Sequence, residues 1–561
     1  MINQLTNNEL IGLFTSIALV IYVTCLLHTK SRTRLPPGPN PWPVIGNMFQ
    51  LAGSPPHHSL TKLSRRHGPI MTLRLGSMLT VVISSSEVAR EIFKKHDAPL
   101  AGRKIYEAMK GRKSSDTSLI TAQYGAYWRM LRRLCTTQFF VTRRLDAMSD
   151  IYEAMKGRKS SDTSLITAQY GAYWRMLRRL CTTQFFVTRR LDAMSDVRSK
   201  CVEQMLRFVK EGGQNGTKTI DVGRYFFLMA FNLIGNLMFS RELLDPDSKR
   251  GSEFFYHTRK VMEFAGKPNV ADFFPLLRFI DPQGIRRKTQ FHVEKAFEIT
   301  GEFIRERSEV REREGSDEKT KDYLDVLLEF RGGDGVDLEE PCSFSARDIN
   351  VIVFEMFTAG TDTTTSTLEW ALAELLHNPR TLTKLQTELR TYFKSPDQKL
   401  QEEDLPNLPY LSAVIMETLR LHPPLPFLVP HKAMSTCHIF GKYTIPKETQ
   451  VLVNVWAIGR DPKTWIDPVM FKPERFISDS NPRDFKGQDF EFLPFGSGRR
   501  MCPALPLASR ILPLAIGSMV RSFDWALENG LSAEEMDMGE RIGITLKKSV
   551  PLEAIPIPYL G

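Results

Sequence analysis

The sequence predicts a mainly α-helical protein with a small β region, preceded by a single N-terminal transmembrane helix. Three observations carry that prediction. Apolar residues recur at helical spacing over most of the chain, strand-like alternation is confined to residues 71–83 and 439–453, and residues 10–27 form one uncharged run. The composition suits a large globular chain: 42% of the 561 residues are hydrophobic and 25% charged, which excludes a disordered or collagen-like protein. The expected organisation is a membrane anchor over residues 1–28, a basic and Pro-rich hinge over 29–45, and one large domain over 46–561.

The run from Leu10 to Leu27 is long enough, at about 1.5 Å per residue, to just span a bilayer core of roughly 30 Å. Only Glu9 carries charge before it, whereas Lys30, Arg32 and Arg34 follow. Positive residues stay cytosolic, so a single pass with the large domain in the cytosol is expected. A cleaved signal peptide would instead carry a basic start and a small-residue cleavage site. The stretch Leu35-Pro-Pro-Gly-Pro39 is stiff and sets the angle between anchor and domain. The seven cysteines form no Cys-x-x-Cys pair, which suits reduced thiols in the cytosol and argues against a zinc knuckle.

Residues 105–150 recur unchanged as 151–196, a direct repeat of 46 residues. Stacked-repeat folds need about three or more diverged units, so a tandem duplication inside one domain is the better reading. One copy contains Trp128 and Arg132 on a helical pattern, and its twin contains Trp174 and Arg178. Each copy adds eight basic and four acidic residues, so the net charge of +11 would fall to +7 in a single-copy chain. Residues 305–321 alternate in charge and read as a solvated helix end and loop.

A long helix is expected over 351–377, interrupted at Ala359-Gly-Thr-Asp-Thr-Thr364, where Asp362 and Thr363 can break the backbone ladder and hold water. A second helix over 411–421 holds Glu417 and Arg420 on one face. Cys502 lies in Phe495-Gly-Ser-Gly-Arg-Arg-Met-Cys-Pro-Ala504, just before an apolar helix over 505–523. A thiolate there gains from the helix dipole and from free N–H groups, Gly498 allows close backbone approach, and Arg500 can neutralise a carboxylate. No glycine-rich phosphate loop occurs, because Gly496-Ser-Gly498 lacks a third glycine, and no nucleic-acid partner is expected.

The cysteine segment resembles the Phe-x-x-Gly-x-Arg-x-Cys haem loop of the cytochrome P450 superfamily, and the likeness extends over the chain beyond the anchor. The resemblance implies haem b (iron protoporphyrin IX) with Cys502 as proximal thiolate, a donor that favours O–O cleavage, and Phe495, Gly498 and Arg500 beside it. It implies proton delivery by Asp362 and Thr363 during oxygen activation. It implies haem propionate contacts from Trp128 and Arg132 or from Trp174 and Arg178, with His431 a further candidate unless it is a surface histidine. Glu417, Arg420 and Arg475 match the family's structural Glu-x-x-Arg network. The implied partners are O2, a small hydrophobic substrate, membrane lipid and NADPH–cytochrome P450 reductase, met by a basic face including Arg499 and Arg500. The implied location is the endoplasmic reticulum membrane.

Apolar segments 423–429 and 542–546, with Val353, Phe354 and Phe357, stand where the superfamily contacts substrate. The wording of these regions is similar to the geraniol-hydroxylase and iridoid-oxidase group of plant microsomal enzymes, and residues 262–290 resemble that group's access-channel region. A monoterpenoid or iridoid substrate is therefore expected, with flavonoid or alkaloid phenolics as the alternative. The duplication leaves a non-catalytic protein as a rival reading.

Overall fold

The structure is a computed structural model describing residues 15–16, 34–104, 106–107, 170, 172–186, 188–244, 249–314, 322–330, 344–395, 398–477 and 483–559. Helices dominate, and the strands are few and short. The Leu10–Leu27 run lies outside the described residues apart from residues 15–16. Among the described residues, the one helix long and apolar enough to cross a membrane is Val222–Phe239. That helix is largely buried against the long central helix Ala346–His377, which makes it a core helix.

The central helix organises the rest. Ser345 caps its start, accepting from the Asp348 N–H while the Asp348 carboxylate accepts from the Ser345 N–H, and Asn378 ends it before Pro379. Helices Val222–Phe239, Ile285–Glu314, Pro409–Leu421 and Leu505–Ser522 pack along it. The core between them is aromatic: Phe357 lies 4.8 Å from Phe231 and 4.9 Å from Phe254, ring centre to ring centre. Val353, Phe354 and Phe357 are buried in these helix contacts. A helical period shows which positions are apolar but not what each apolar position meets.

The β region is one mixed five-stranded sheet with small satellites. Its order is Ile70–Leu75, Met78–Ile83, Gln450–Val453, His431–Lys432 and Gly102–Arg103, with only the second and third strands parallel. Both stretches expected as strands fall in β structure. The Pro-rich hinge docks on the first strand, where the Thr72 N–H donates to the Pro37 carbonyl at 2.8 Å. A Cβ on Gly38 would stand 1.9 Å from the Thr72 carbonyl oxygen, so that approach requires glycine. The charged stretch 305–321 begins as the end of helix Ile285–Glu314, and Arg307 there holds Asp322 and Asp325 at 2.8 and 2.9 Å.

Candidate active site

Cys502 is half-buried at the N-terminus of helix Leu505–Ser522. Its own N–H donates to the Phe495 carbonyl at 2.9 Å, closing the loop into a tight turn. Burial pushes the thiol pKa up, opposed by backbone N–H groups of Ala504 and Leu505 and by the positive charge of Arg178. The sequence-predicted helix-end environment is therefore present. Gly498 lies at φ +65°, and a Cβ there would be 2.6 Å from the Asp97 carboxylate, so the loop closes only with glycine. Phe495 packs on Phe485 at 5.5 Å.

Around this loop the structure gathers three arginines and a histidine from four segments. The Arg500 guanidinium donates through Nε to the Ala101 carbonyl at 2.8 Å and stacks 4.4 Å over the Trp174 ring. Arg178, one turn on from Trp174, feels the Cys502 sulfur. Arg103 donates to the Val429 carbonyl at 2.6 Å. His431 is buried, with Nδ1 2.9 Å from the Leu100 carbonyl. Burial lowers the pKa of all four, Arg103 to about 9, and the charges of Arg103 and Arg178 add to the lowering at Arg500. Among the described residues, the carboxylate that acts on both Arg103 and Arg500 is Asp97, which Arg499 already holds at 2.7 Å. Guanidiniums are strong donors to carboxylates, so Arg500, Arg178 and Arg103 fit the two propionates of a haem beside Cys502.

Two expectations need correction at this point. Arg500 is buried and lies behind the surface, so it cannot belong to an exposed basic face. His431 is not a surface histidine, since the sheet and Leu100 enclose it. Trp128 and Arg132 lie outside the described residues, and Trp174 and Arg178 occupy the place beside Arg500.

On the central helix the expected interruption is absent. The helix is continuous through residues 359–364, because the hydroxyls of Thr361, Thr363, Thr365 and Thr367 each donate to the carbonyl four residues back, Thr363 to Ala359 at 2.7 Å. Asp362 is buried and paired: the Thr545 hydroxyl donates to it at 2.6 Å and the Lys547 ammonium forms an ion pair with it. The same late segment binds the helix again, since Ser366 and Trp370 both donate to the Leu546 carbonyl. The Leu546 N–H donates to the Pro424 carbonyl at 2.8 Å, so the apolar segments 423–429 and 542–546 meet beside Asp362. The stretch following helix Lys249–Ala265 closes on them, for a Cβ on Gly266 would lie 2.7 Å from the Ile544 nitrogen.

Glu417, Arg420 and Arg475 come together as expected. Arg420 binds Glu417 through two bonds of 2.7 Å, and Arg475 reaches the same carboxylate at 3.0 Å. Sequence reasoning missed Arg103, Asp97, Thr545, Lys547 and Glu355. Only Glu355 carried a signal, a carboxylate within an otherwise apolar helix stretch, and burial raises its pKa well above the usual carboxylate range.

The comparisons bear on this geometry. The family model described as Cytochrome P450 matches residues 36–158 and 146–552. An iridoid oxidase of Catharanthus roseus is 40% identical over 540 residues, 95% of this chain and 94% of its own length. A geraniol 8-hydroxylase of the same plant is 39% identical over 539 residues, 96% and 97% of the two chains. A probable (S)-N-methylcoclaurine 3'-hydroxylase of Coptis japonica is 36% identical over 96% of both. A zebra fish structure solved with progesterone shares the fold at a TM-score of 0.68, covering 90% of this chain and all of its own, at 24% identity.

Proposed function

The chain belongs to the cytochrome P450 family, and from that premise we propose that it is a membrane-anchored monooxygenase hydroxylating a monoterpenoid or iridoid, with electrons from NADPH passed through NADPH–cytochrome P450 reductase. The reaction consumes one O2, two electrons and two protons per turnover; one oxygen enters a C–H bond as hydroxyl and the other leaves as water. Haem bound at Cys502 supplies the redox chemistry that activates O2. The prosthetic group we propose is haem b, as the resemblance to the family implies.

The observation that carries this reading is the setting of Cys502: it precedes helix Leu505–Ser522, its N–H closes the loop on the Phe495 carbonyl, and Arg500 of the same loop stacks on Trp174. Arg500, Arg178 and Trp174 would hold the haem propionates, with His431 and Arg103 as further candidates. Asp362, held by Thr545 and Lys547, and Thr363 are the proposed proton carriers. Glu417, Arg420 and Arg475 keep the segment before the cysteine loop in place.

Substrate class is supported by the relatives named iridoid oxidase and geraniol 8-hydroxylase and by the apolar character of segments 423–429 and 542–546. The coclaurine hydroxylase relative favours a phenolic alkaloid as the second reading. Attachment to the endoplasmic reticulum membrane is supported by the Leu10–Leu27 run and by exposed Leu276, Phe279 and Ile280 next to exposed Arg287 and Lys288. Exposed Arg90, Lys94 and Arg499 flank the cysteine loop and suit an acidic reductase surface.

The test is a carbon-monoxide difference spectrum of the reduced full-length chain, followed by turnover with reductase and NADPH on monoterpenols, iridoid aldehydes and benzylisoquinolines. A thiolate-type Soret band that Cys502→Ser abolishes, with oxygenation of a monoterpenol, is expected. A chain that takes up no haem would overturn the reading.

A further inference from the structure

The two copies of the repeat are identical in sequence, and the described body draws on residues of both. At the front, Tyr106 and Glu107 of the first copy are built in. The Gln450 side-chain amide donates to the Tyr106 hydroxyl at 3.2 Å, Glu107 donates its N–H to Asp272 at 2.5 Å, and Arg278 pairs with the Glu107 carboxylate at 2.9 Å. Further on, residues of the second copy are built in. The Tyr170 hydroxyl accepts from Arg499 at 2.8 Å, Trp174 lies under Arg500, and Arg178 faces Cys502. Phe185 is fully buried, stacked 4.2 Å from Tyr323, and its carbonyl accepts from the Tyr323 hydroxyl. Asp192, near the end of the copy, pairs with Arg510 of the helix that follows Cys502.

Between Glu107 and Tyr170 stand 62 residues, whereas a single copy would place 16 between the equivalent positions Glu107 and Tyr124. The body has therefore taken its beginning from one copy and its remainder from the other. We propose that the fold relies on Tyr106 and Glu107 of the first copy and on Tyr170 to Asp192 of the second, and that Trp174 and Arg178 rather than Trp128 and Arg132 serve the haem site. The haem part of this assignment rests on the function proposed above; the packing part does not.

Deleting either copy gives the same 515-residue chain, so deletion cannot distinguish them, but point substitutions in twin positions can. The full-length chain is made with Phe185→Ala or Phe139→Ala, and separately with Tyr106→Ala or Tyr152→Ala. Unfolding is followed by far-ultraviolet circular dichroism, which needs no haem. The assignment expects a crossed pattern: Phe185→Ala and Tyr106→Ala lower Tm by about 5 °C or more, while Phe139→Ala and Tyr152→Ala leave it within about 1 °C. Equal effects within either twin pair, or no effect of Phe185→Ala, overturn it. On the same chains haem per polypeptide is measured, where Arg178→Ala is expected to cut retention at least about threefold and Arg132→Ala to leave it unchanged. Equal haem loss from both arginine variants overturns the haem part alone. A crossed Tm pattern in a chain that takes up no haem keeps the packing assignment and sinks the proposed function.

Discussion

Arg420 is fully buried between Glu417 and the carbonyls of Gly459 and Pro468, at 2.6 and 2.7 Å, with Arg475 sharing the carboxylate. A planar fork is needed to bind Glu417 twice and still reach those carbonyls, which a lysine cannot do. Arg420→Ala leaves a buried carboxylate and two carbonyls deprived of a donor, at a cost of about 3–5 kcal/mol. The expected outcome is loss of soluble, haem-containing protein, and Arg420→Lys should behave nearly as badly; a normal haem yield from either would contradict the structural role. Asp362 belongs to a different case, because its partners Thr545 and Lys547 lie on a loop that also touches Pro424. Asp362→Asn should lower kcat roughly 10²-fold while haem content stays unchanged, if the carboxylate carries protons. Equal kcat in that variant would remove Asp362 from the mechanism. Cys502, Glu417 and Arg420 were legible in the sequence because the short motifs that hold them resemble those of a known family; spacing alone gave a cysteine before a helix and an i,i+3 ion pair. Lys547 and Arg103 were not, since a cation at a strand end looks like any solvated charge until its partner is known.

Between elements, Glu540 is the main clasp on the side of helix Pro56–His67. His57 and His58 at the start of that helix reach its carboxylate at 2.7 and 3.1 Å, and His422 at the end of helix Pro409–Leu421 reaches it at 3.1 Å. His422 also binds Glu374 of the central helix at 2.7 Å and stacks 3.8 Å from Trp370. Arg460 and Trp456 approach the same carboxylate at 3.7 and 3.3 Å. Three separate segments thus converge on one anion, a grouping that no sequence motif announces. Burial pushes the Glu540 pKa up, but hydrogen bonds from His422, His57 and His58 outweigh it and hold the group ionised, well below the ordinary range. Its contribution to stability is therefore present at neutral pH and lost only in strong acid. His57 behaves in the opposite sense: burial lowers its pKa below 6.5 despite Glu540, with His58 and Arg460 adding to the lowering. The unfolded chain then takes up the proton first, so stability falls as pH drops below about 6.5. Tm should decline between pH 7.5 and 5.5, and His57→Gln should start lower but decline less. An equally steep decline in that variant would show that other groups, His431 among them, control the response. Glu540→Gln should lower Tm at pH 7.5 by several degrees, because three histidines and an arginine lose their shared anion.

At the scale of the whole molecule, helical periodicity and short alternations sufficed to predict a mostly helical body with a small sheet, because each helix buries one continuous face. Periodicity did not tell which helix passes through the centre or that Val222–Phe239, apolar enough for a membrane, is consumed by the core. It also could not choose between two identical copies, since that choice is made by contacts with Arg500, Tyr323 and Arg510, all remote in sequence. The duplication has a consequence for stability that polymer physics can size. Where the added residues make no contacts, closing the connection from Glu107 to Tyr170 over 62 residues instead of 16 costs about 1 kcal/mol more, from logarithmic scaling with length. The 515-residue chain should therefore be as stable as the full chain or slightly more so, with a Tm higher by roughly 1–2 °C for a protein of this size. Its net charge would be +7 rather than +11, and its haem content per polypeptide should not fall. The measurement is parallel thermal unfolding and haem analysis of both chains at one ionic strength. A Tm lower by several degrees in the shorter chain would mean that the extra 46 residues make stabilising contacts of their own.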